Sequence, residues 1–575
     1  MDLISRPAKE RLTATSVLDL PSVLVIAAAS VALALPMLIY GPMPWGNDTY
    51  QHLNFAKYFS EQFWAGDWYP RWLIGMCHGL GSPTLFIYPP FPSYVVALFV
   101  PLGKVLHFDA FKMGEFLALF GSGICAFLWL RTMASRGVAL LCAALYLMMP
   151  FHLAIDFYRR DALAECWALV WMPLILYFTA KTVERGGVYL LGLGVAYALL
   201  IVSHLVAVFL FSLIPLALAL FLAPRGKEFR SLLRVSEGML LGIGLSCFYL
   251  IAALAHNRYF TLTVIPDWST RADRHLLDLG TLLHRVGINH TISVIVFDMV
   301  ALCIVCSATI LAKGSPEWKK RVLFWLLPCA VSVFLMLSLS SWLWRVGPLL
   351  HTSVRYPGRL NLILCVGSLP ILAALFSEIP RLPRFSQGLL VVLLLAGIVP
   401  WLVWYRAVWI SYPEQTPPPT TVVSDFDGFF FTWPAPGTDQ ESALEASTKP
   451  PARFLTGAGT AKAVLWEPRH IEIETNSPSG GEVLVNQFYY PPWRAILTGE
   501  NRQIKVEAEI PAGIVKLRVP AGPQHVRLEI PVGPTEYIGQ WISGICVFLT
   551  LGLAAKSHLT VRRETAAASA PVEYQ

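Results

Sequence analysis

The chain has 575 residues, of which 55% are hydrophobic and only 14% charged, with a net charge of +7. That balance excludes an ordinary soluble domain, where about 25% of residues are charged. The basic residues are spread through short loops rather than gathered in one patch, so nucleic acid is not an expected partner.

In chain order, Arg6, Lys9 and Arg11 precede an apolar stretch at 21–40. It is too long for a signal-peptide core and no small-residue cleavage site follows, so a retained first membrane span is expected. Further apolar stretches at 113–131, 137–151, 162–180, 188–203, 205–223, 235–254, 292–311, 322–340, 360–377, 388–405 and 537–555 bring the expected spans to twelve. Such runs are helical, because inside a bilayer every backbone polar group must be satisfied within its own segment.

Threading twelve spans puts Arg131/Arg136, Lys181/Arg185, Arg225/Lys227/Arg230/Arg234, Lys313/Lys319/Lys320/Arg321, Arg381/Arg384 and Arg562/Arg563 on one side. The excess of positive charge marks that side as cytoplasmic, with both termini there. The bias survives only if the proline-led segment 91–106 does not cross. The first external loop, 41–112, is therefore expected to contain a dipping or interfacial helix.

This threading gathers the polar residues on the external side: Asp48, His52, Asp67 and Arg71 in the first loop, and Arg159, Arg160, Asp161 and Glu165 before the fourth span. His204 ends the fifth span, and Arg355 and Arg359 precede the tenth. Ionisable groups beside a bilayer are costly to desolvate, so a one-sided cluster reads as a site.

Residues 1–410 form the membrane domain, 411–535 a second, external domain, and 536–575 the last span and tail. The second domain opens with the stiff spacer Thr416-Pro-Pro-Pro-Thr420. Period-two runs follow at 463–466, 471–474, 483–487, 504–506, 515–519 and 526–530, broken by Gly and Pro, and predict a small antiparallel sandwich. The aromatics of Phe488-Tyr-Tyr-Pro-Pro-Trp493 suit either its core or stacking on sugar rings. Nine of the ten cysteines lie in or beside apolar spans, where they act as small hydrophobes. The Cys303-Ile-Val-Cys306 pair has no second pair to complete a metal site.

Moving a sugar at a membrane surface needs a carboxylate to take the acceptor's proton and cations to neutralise a departing phosphate. Asp48, tied to the end of the first span, meets the first need, and His52 stands one helical turn on. Arg159 or Arg160, with Arg355 and Arg359, meets the second. Asp161 and Glu165 share a helix face, as a second acidic site or a network holding the arginines. Asp48 also suits a helix N-cap, Asp67 and Arg71 suit loop-shaping pairs, and His204 suits a span end.

Gly46-Asn-Asp48 through His52, Trp68-Tyr-Pro-Arg-Trp72, Gly79-Leu-Gly-Ser-Pro83, Tyr88-Pro-Pro90, Arg160-Asp-Ala-Leu-Ala-Glu165, Ser203-His204, Arg355-Tyr-Pro-Gly-Arg359 and the Gln487–Trp493 sandwich motif carry a resemblance over nearly the whole chain. They resemble bacterial membrane proteins labelled 6-pyruvoyl-tetrahydropterin synthase-related, within a layout similar to the GT-C glycosyltransferase superfamily. The resemblance implies a polytopic α-helical fold of about twelve spans with a C-terminal extracytoplasmic β-sandwich, in the bacterial inner membrane. It implies transfer from a polyprenyl-phosphate sugar to an envelope glycan or lipid acceptor, at a site facing outside. Asp48 then maps to the first-loop catalytic acid, and Asp161, with Glu165, to the second acidic motif. His52, Asp67, Arg71, Arg160, His204, Arg355 and Arg359 are the expected substrate-binding residues. The Asp-x-Asp form of oligosaccharyltransferases is missing, since arginines separate Asp156 from Asp161. A metal-independent mechanism without cofactor is therefore favoured. A non-catalytic envelope scaffold or a lipid or glycan transporter is the alternative, the transporter being disfavoured by spans nearly free of ionisable residues and by the lack of internal repeats.

Overall fold

The computed structural model describes residues 18–41, 46, 48–260, 272–283, 288–346, 350, 354, 356–411 and 435–568. The spacer at 416–420 and Arg355 lie outside them. Helix α1 (Leu20–Tyr40) begins at Asp19, whose carboxylate accepts from the Ser22 amide, with Pro21 in the first turn. α2 (Thr49–Trp64) and α3 (Phe91–Leu106) pack together within the first loop. The 16-residue α3 is the short proline-led helix that the charge bias required.

Then follow α4 (Ala110–Leu130), α5 (Arg136–Met148), a ten-residue π-helix (Phe151–Arg160), α6 (Leu163–Glu184), α7 (Val188–Ile201), α8 (Leu205–Phe211), α9 (Leu213–Leu222) and α10 (Glu228–His256). After these come α11 (Ile288–Lys313), α12 (Pro316–Met336), α13 (Asn361–Glu378) and α14 (Arg384–Ser411). The last long helix, Pro534–Ala568, follows the sandwich.

Every predicted span is helical. Among the described residues, nine helical segments are long and apolar enough to cross a membrane, with the α5–π and α8–α9 pairs each acting as one. α7, with 14 residues, is short for a span, and α12 and α14 are not among the nine. The chain is a polytopic helical membrane protein. α13 is the most enclosed of the nine, 83% buried, whereas the last helix is 11% buried and presents apolar side chains on nearly every face.

The sandwich comprises β1 (Ala452–Thr456), β2 (Thr460–Glu467), β3 (His470–Ser477), β4 (Gly481–Phe488), β5 (Arg494–Leu497), β6 (Arg502–Ile504), β7 (Val506–Glu509), β8 (Ile514–Val519) and β9 (Gly522–Glu529). They form sheets ordered β1-β4-β8-β7 and β2-β3-β9-β5-β6, with antiparallel pairs throughout. Five of the six predicted runs fall on strands, whereas 504–506 straddles the break at Lys505 where the chain passes from β6 in one sheet to β7 in the other. β1 and β5 lacked a clean period-two pattern and emerge only from pairing.

The sandwich does not hang free. Its core is continuous with the first loop, joining Trp72, Leu80, Leu85 and Phe86 to Phe488, Tyr490 and Trp493. Gln487, fully buried, accepts from Trp72 Nε1 at 2.7 Å and donates to the Gly79 carbonyl at 2.7 Å. The Phe488 amide donates to the Leu80 carbonyl at 2.6 Å. Burial of Phe488, Tyr490 and Trp493 assigns these aromatics to the core and leaves their faces unavailable for sugars.

Candidate functional site

Asp48 sits just ahead of α2 but does not cap it: its side chain bonds no first-turn amide. Instead its Oδ2 accepts from Arg160 Nη2 at 2.9 Å, and its backbone amide donates to the Arg160 carbonyl at 2.8 Å. Gly46 makes this approach sterically feasible. A Cβ there would lie 2.1 Å from Thr49 Oγ1, 3.0 Å from Asp161 Cβ and 3.2 Å from the Arg160 carbonyl.

The π-helix delivers Arg160. Its wider turn follows Pro150 and ends on Asp161, a non-glycine residue at φ +57° whose amide bonds the Asp156 carbonyl. Such segments are rare and collect at functional sites. From this end Arg160 reaches Asp48, Asp156 Oδ1 at 2.9 Å and Glu165 Oε2 at 2.5 Å. One guanidinium thus holds three carboxylates from three segments, a use of the planar fork that a lysine could not match. Arg359 adds a second cation, its Nε 3.8 Å from Glu165 Oε2.

Exposure divides the cluster. The Asp156 and Glu165 side chains are buried, while that of Asp48 is 30% exposed. The second oxygens of Asp156 and Glu165 have no hydrogen-bond partner among the described residues, leaving two buried acceptors.

His204 caps α8 by accepting from the Ala207 amide at Nδ1, 3.1 Å, which puts its proton on Nε2 when neutral. Burial lowers its pKa to about 4 although Glu165 opposes the shift, so it is neutral near pH 7. His52 is likewise lowered to about 4 by burial, against the pull of Asp48, with its ring 5.9 Å from that of Tyr88. Both histidines are hydrogen-bonding groups here rather than cations.

Asp161 turns away from the arginine. It is buried near Glu115 of α4 and Thr49, and burial raises its pKa. Sequence reasoning missed Glu115, a lone acid in an apolar helix, and Asp156, which was set aside for its distance from Asp161 in sequence.

Asp48, His52, Arg160, Glu165, His204 and Arg359 are thus brought together, with Asp161 behind Asp48. Asp67 and Arg71 are not brought to this cluster. Asp67 accepts from the Tyr69 amide and Gln62, shaping the loop. Arg71, 2% exposed, pairs with Glu536 of the last helix at 3.0 Å, and Glu536 also takes both terminal nitrogens of Arg469 from the sandwich. That triad joins loop, sandwich and final helix. Arg159 is exposed and reaches Thr291. Among the described residues, no three His, Cys, Asp or Glu side chains are grouped to hold a metal ion.

Residues 85–412 match the family model described as 6-pyruvoyl-tetrahydropterin synthase related domain, membrane protein. That stretch contains Arg160, Glu165, His204 and Arg359 and begins after Asp48 and His52. No curated protein matches the chain. Two crystal structures of the Archaeoglobus fulgidus oligosaccharyltransferase are similar to it. The apo form has 14% identity and a TM-score of 0.44, over 75% of this chain and 59% of that one. The form with zinc and sulfate has 16% and 0.39, over 74% and 57%. The chain therefore spans about three fifths of that enzyme's length. Apo ArnT from Cupriavidus metallidurans is similar at 14% identity and a TM-score of 0.28, over 62% of this chain and 79% of that one. Because the family model covers more than half of the sequence, the chain belongs to the 6-pyruvoyl-tetrahydropterin synthase related membrane proteins.

Proposed function

We propose that this protein is a membrane glycosyltransferase that moves a sugar from a polyprenyl-phosphate donor to an envelope glycan or lipid acceptor on the extracytoplasmic face. The observation that carries the reading is Asp48, a partly open carboxylate just ahead of α2, gripped on one oxygen by an otherwise buried arginine. Its Oδ1 has no protein partner among the described residues and is the base.

In the transfer, Oδ1 takes the proton of the acceptor hydroxyl as that oxygen attacks the anomeric carbon from the face opposite the phosphate. The carbon–phosphate oxygen bond breaks, its electron pair stays on the departing lipid phosphate, and configuration inverts. Arg359, with Arg159 as a further cation beside Arg160, offsets the growing negative charge. Neutral His204 and His52 donate or accept without adding charge. The carboxylates that could hold a divalent cation are already committed to Arg160, so the cationic charge is assigned to arginine.

The test supplies labelled polyprenyl-phosphate sugars and extracted envelope lipids to membranes holding wild type or Asp48→Asn, with and without a chelator. One donor should transfer label, the variant should lose roughly a hundredfold or more, and the chelator should leave the rate unchanged. Transfer that survives Asp48→Asn would sink the assignment of the base. No transfer from any donor, with the protein folded, would favour the scaffold.

A further inference from the structure

We propose that the end of the sandwich farthest from the last helix carries a second binding site, a groove for an extended anionic glycan. The groove, about 870 Å³, is lined by Arg502, Lys505 and Arg518 around Glu482. It lies far from the Asp48 cluster, and strand register places it. β9 leads into the last helix from its Glu529 end, which pairs with His470, while its Gly522 end pairs with Ser477. Gly481 pairs with Val519 at that same far end, and Phe488, at the other end of β4, meets Leu80 of the first loop. Eight residues of strand put roughly 25 Å between the two ends. A lipid headgroup beside the last helix does not reach this groove, whereas a polymer extending away from it does.

The floor is backbone. A Cβ at Gly481 would lie 2.2 Å from the Thr456 carbonyl, and one at Gly480 2.6 Å from that of Val519. The fold therefore keeps this surface free of side chains at both positions. The cations have partners at the exposed surface: Arg502 with Glu500, Lys505 with Glu507 and Arg518 with Glu482. The Lys505 and Arg518 side chains are both 81% exposed and that of Arg502 54%. Exposed pairs of this kind contribute only about 0–1 kcal/mol, so a ligand anion can replace the carboxylate. Arg502 and Lys505, three residues apart at β6, and Arg518 on β8 line the groove with Glu482 as its one acid, which favours repeated negative charge. Guanidinium forks pair with carboxylate or phosphate alike. Since the sandwich aromatics Phe488, Tyr490 and Trp493 are buried, recognition is polar and ionic rather than by ring stacking.

The test uses the full chain in phosphatidylcholine nanodiscs and measures binding of polygalacturonate, inorganic polyphosphate and neutral dextran. Wild type should bind one or both polyanions and not dextran. The triple variant R502A/K505A/R518A should lose at least about tenfold in affinity. The charge-retaining pair R502K/R518K should lose less, and thermal unfolding of both variants should match wild type because the residues are exposed. Retention of polygalacturonate alone assigns a carboxylate-bearing glycan, and of polyphosphate alone a phosphate-bearing one. Equal binding of dextran, binding unchanged in the triple variant, or no polyanion binding overturns the proposal. None of these readouts requires glycosyl transfer, so the outcome is independent of the proposed activity.

Discussion

Replacing Arg160 by glutamine removes the one group that touches Asp48, Asp156 and Glu165 together. Asp48 is 30% exposed and can be rehydrated, so most of the loss falls on the two buried acids. Glu165 keeps only Arg359, at 3.8 Å, while Asp156 keeps no ion pair among the described residues. Breaking a buried pair by deleting one partner costs about 3–5 kcal/mol, chiefly because a charge is left uncompensated. Arg160→Gln should therefore destabilise by about that amount. Adding Asp156→Asn and Glu165→Gln should recover at least half of it, since neutral side chains no longer need the cation. Transfer should not return, because Asp48 remains ungripped. The assay is reversible unfolding in mixed micelles for wild type, each single variant and the triple variant, with transfer measured alongside. A loss below about 1 kcal/mol for Arg160→Gln, or strict additivity of the substitutions, would refute the picture of one arginine neutralising a buried acid cluster.

Acidification should weaken the fold between about pH 6.5 and 4. His52 and His204 stay neutral in the folded protein down to about 4, whereas in the unfolded chain they take up a proton near 6.5. The unfolded state thus gains protons first, and each histidine contributes a loss of about 3 kcal/mol that is complete below pH 4. His204→Asn keeps a helix-capping acceptor and should remove about half of this slope. An unchanged slope in unfolding measured at each pH would refute it. Gln487→Leu should destabilise by about 2–4 kcal/mol, because the Trp72 indole N–H and the Gly79 carbonyl lose a buried partner. The same change should loosen α2, since Gln62 ties that helix to the Trp72 carbonyl and the Ile74 amide. Faster hydrogen exchange in α2 would register this, and exchange identical to wild type would refute the coupling of the sandwich to α2 through Trp72 and Gln62.

Hydropathy alone determined that the apolar runs are helices, because a bilayer forces each apolar run of sufficient length to satisfy its own backbone as a helix. Charge bias led to the expectation that α3 does not cross, and period-two alternation gave five of the six strand runs. That Asp48 lies in the first external loop was also legible, being a matter of local sequence. Its partner was not. The π-helix that aims Arg160 has no periodicity distinct from an α-helix over so few residues, and the stretch read as a loop. Glu115 in α4 carried no signal in sequence, since only packing against Asp161 gives a lone acid in an apolar helix a reason. Arg71 read as a substrate contact from its place in the first loop, yet its partner Glu536 lies on a helix hundreds of residues later. Likewise Gln487 read as the end of a strand run, with no sign that Trp72 and Gly79 close on both ends of its amide. Elements form from short-range hydropathy and backbone satisfaction, which a sequence displays directly. Which charges meet depends on how helices and sheets pack at long range, and only the tertiary structure decides that.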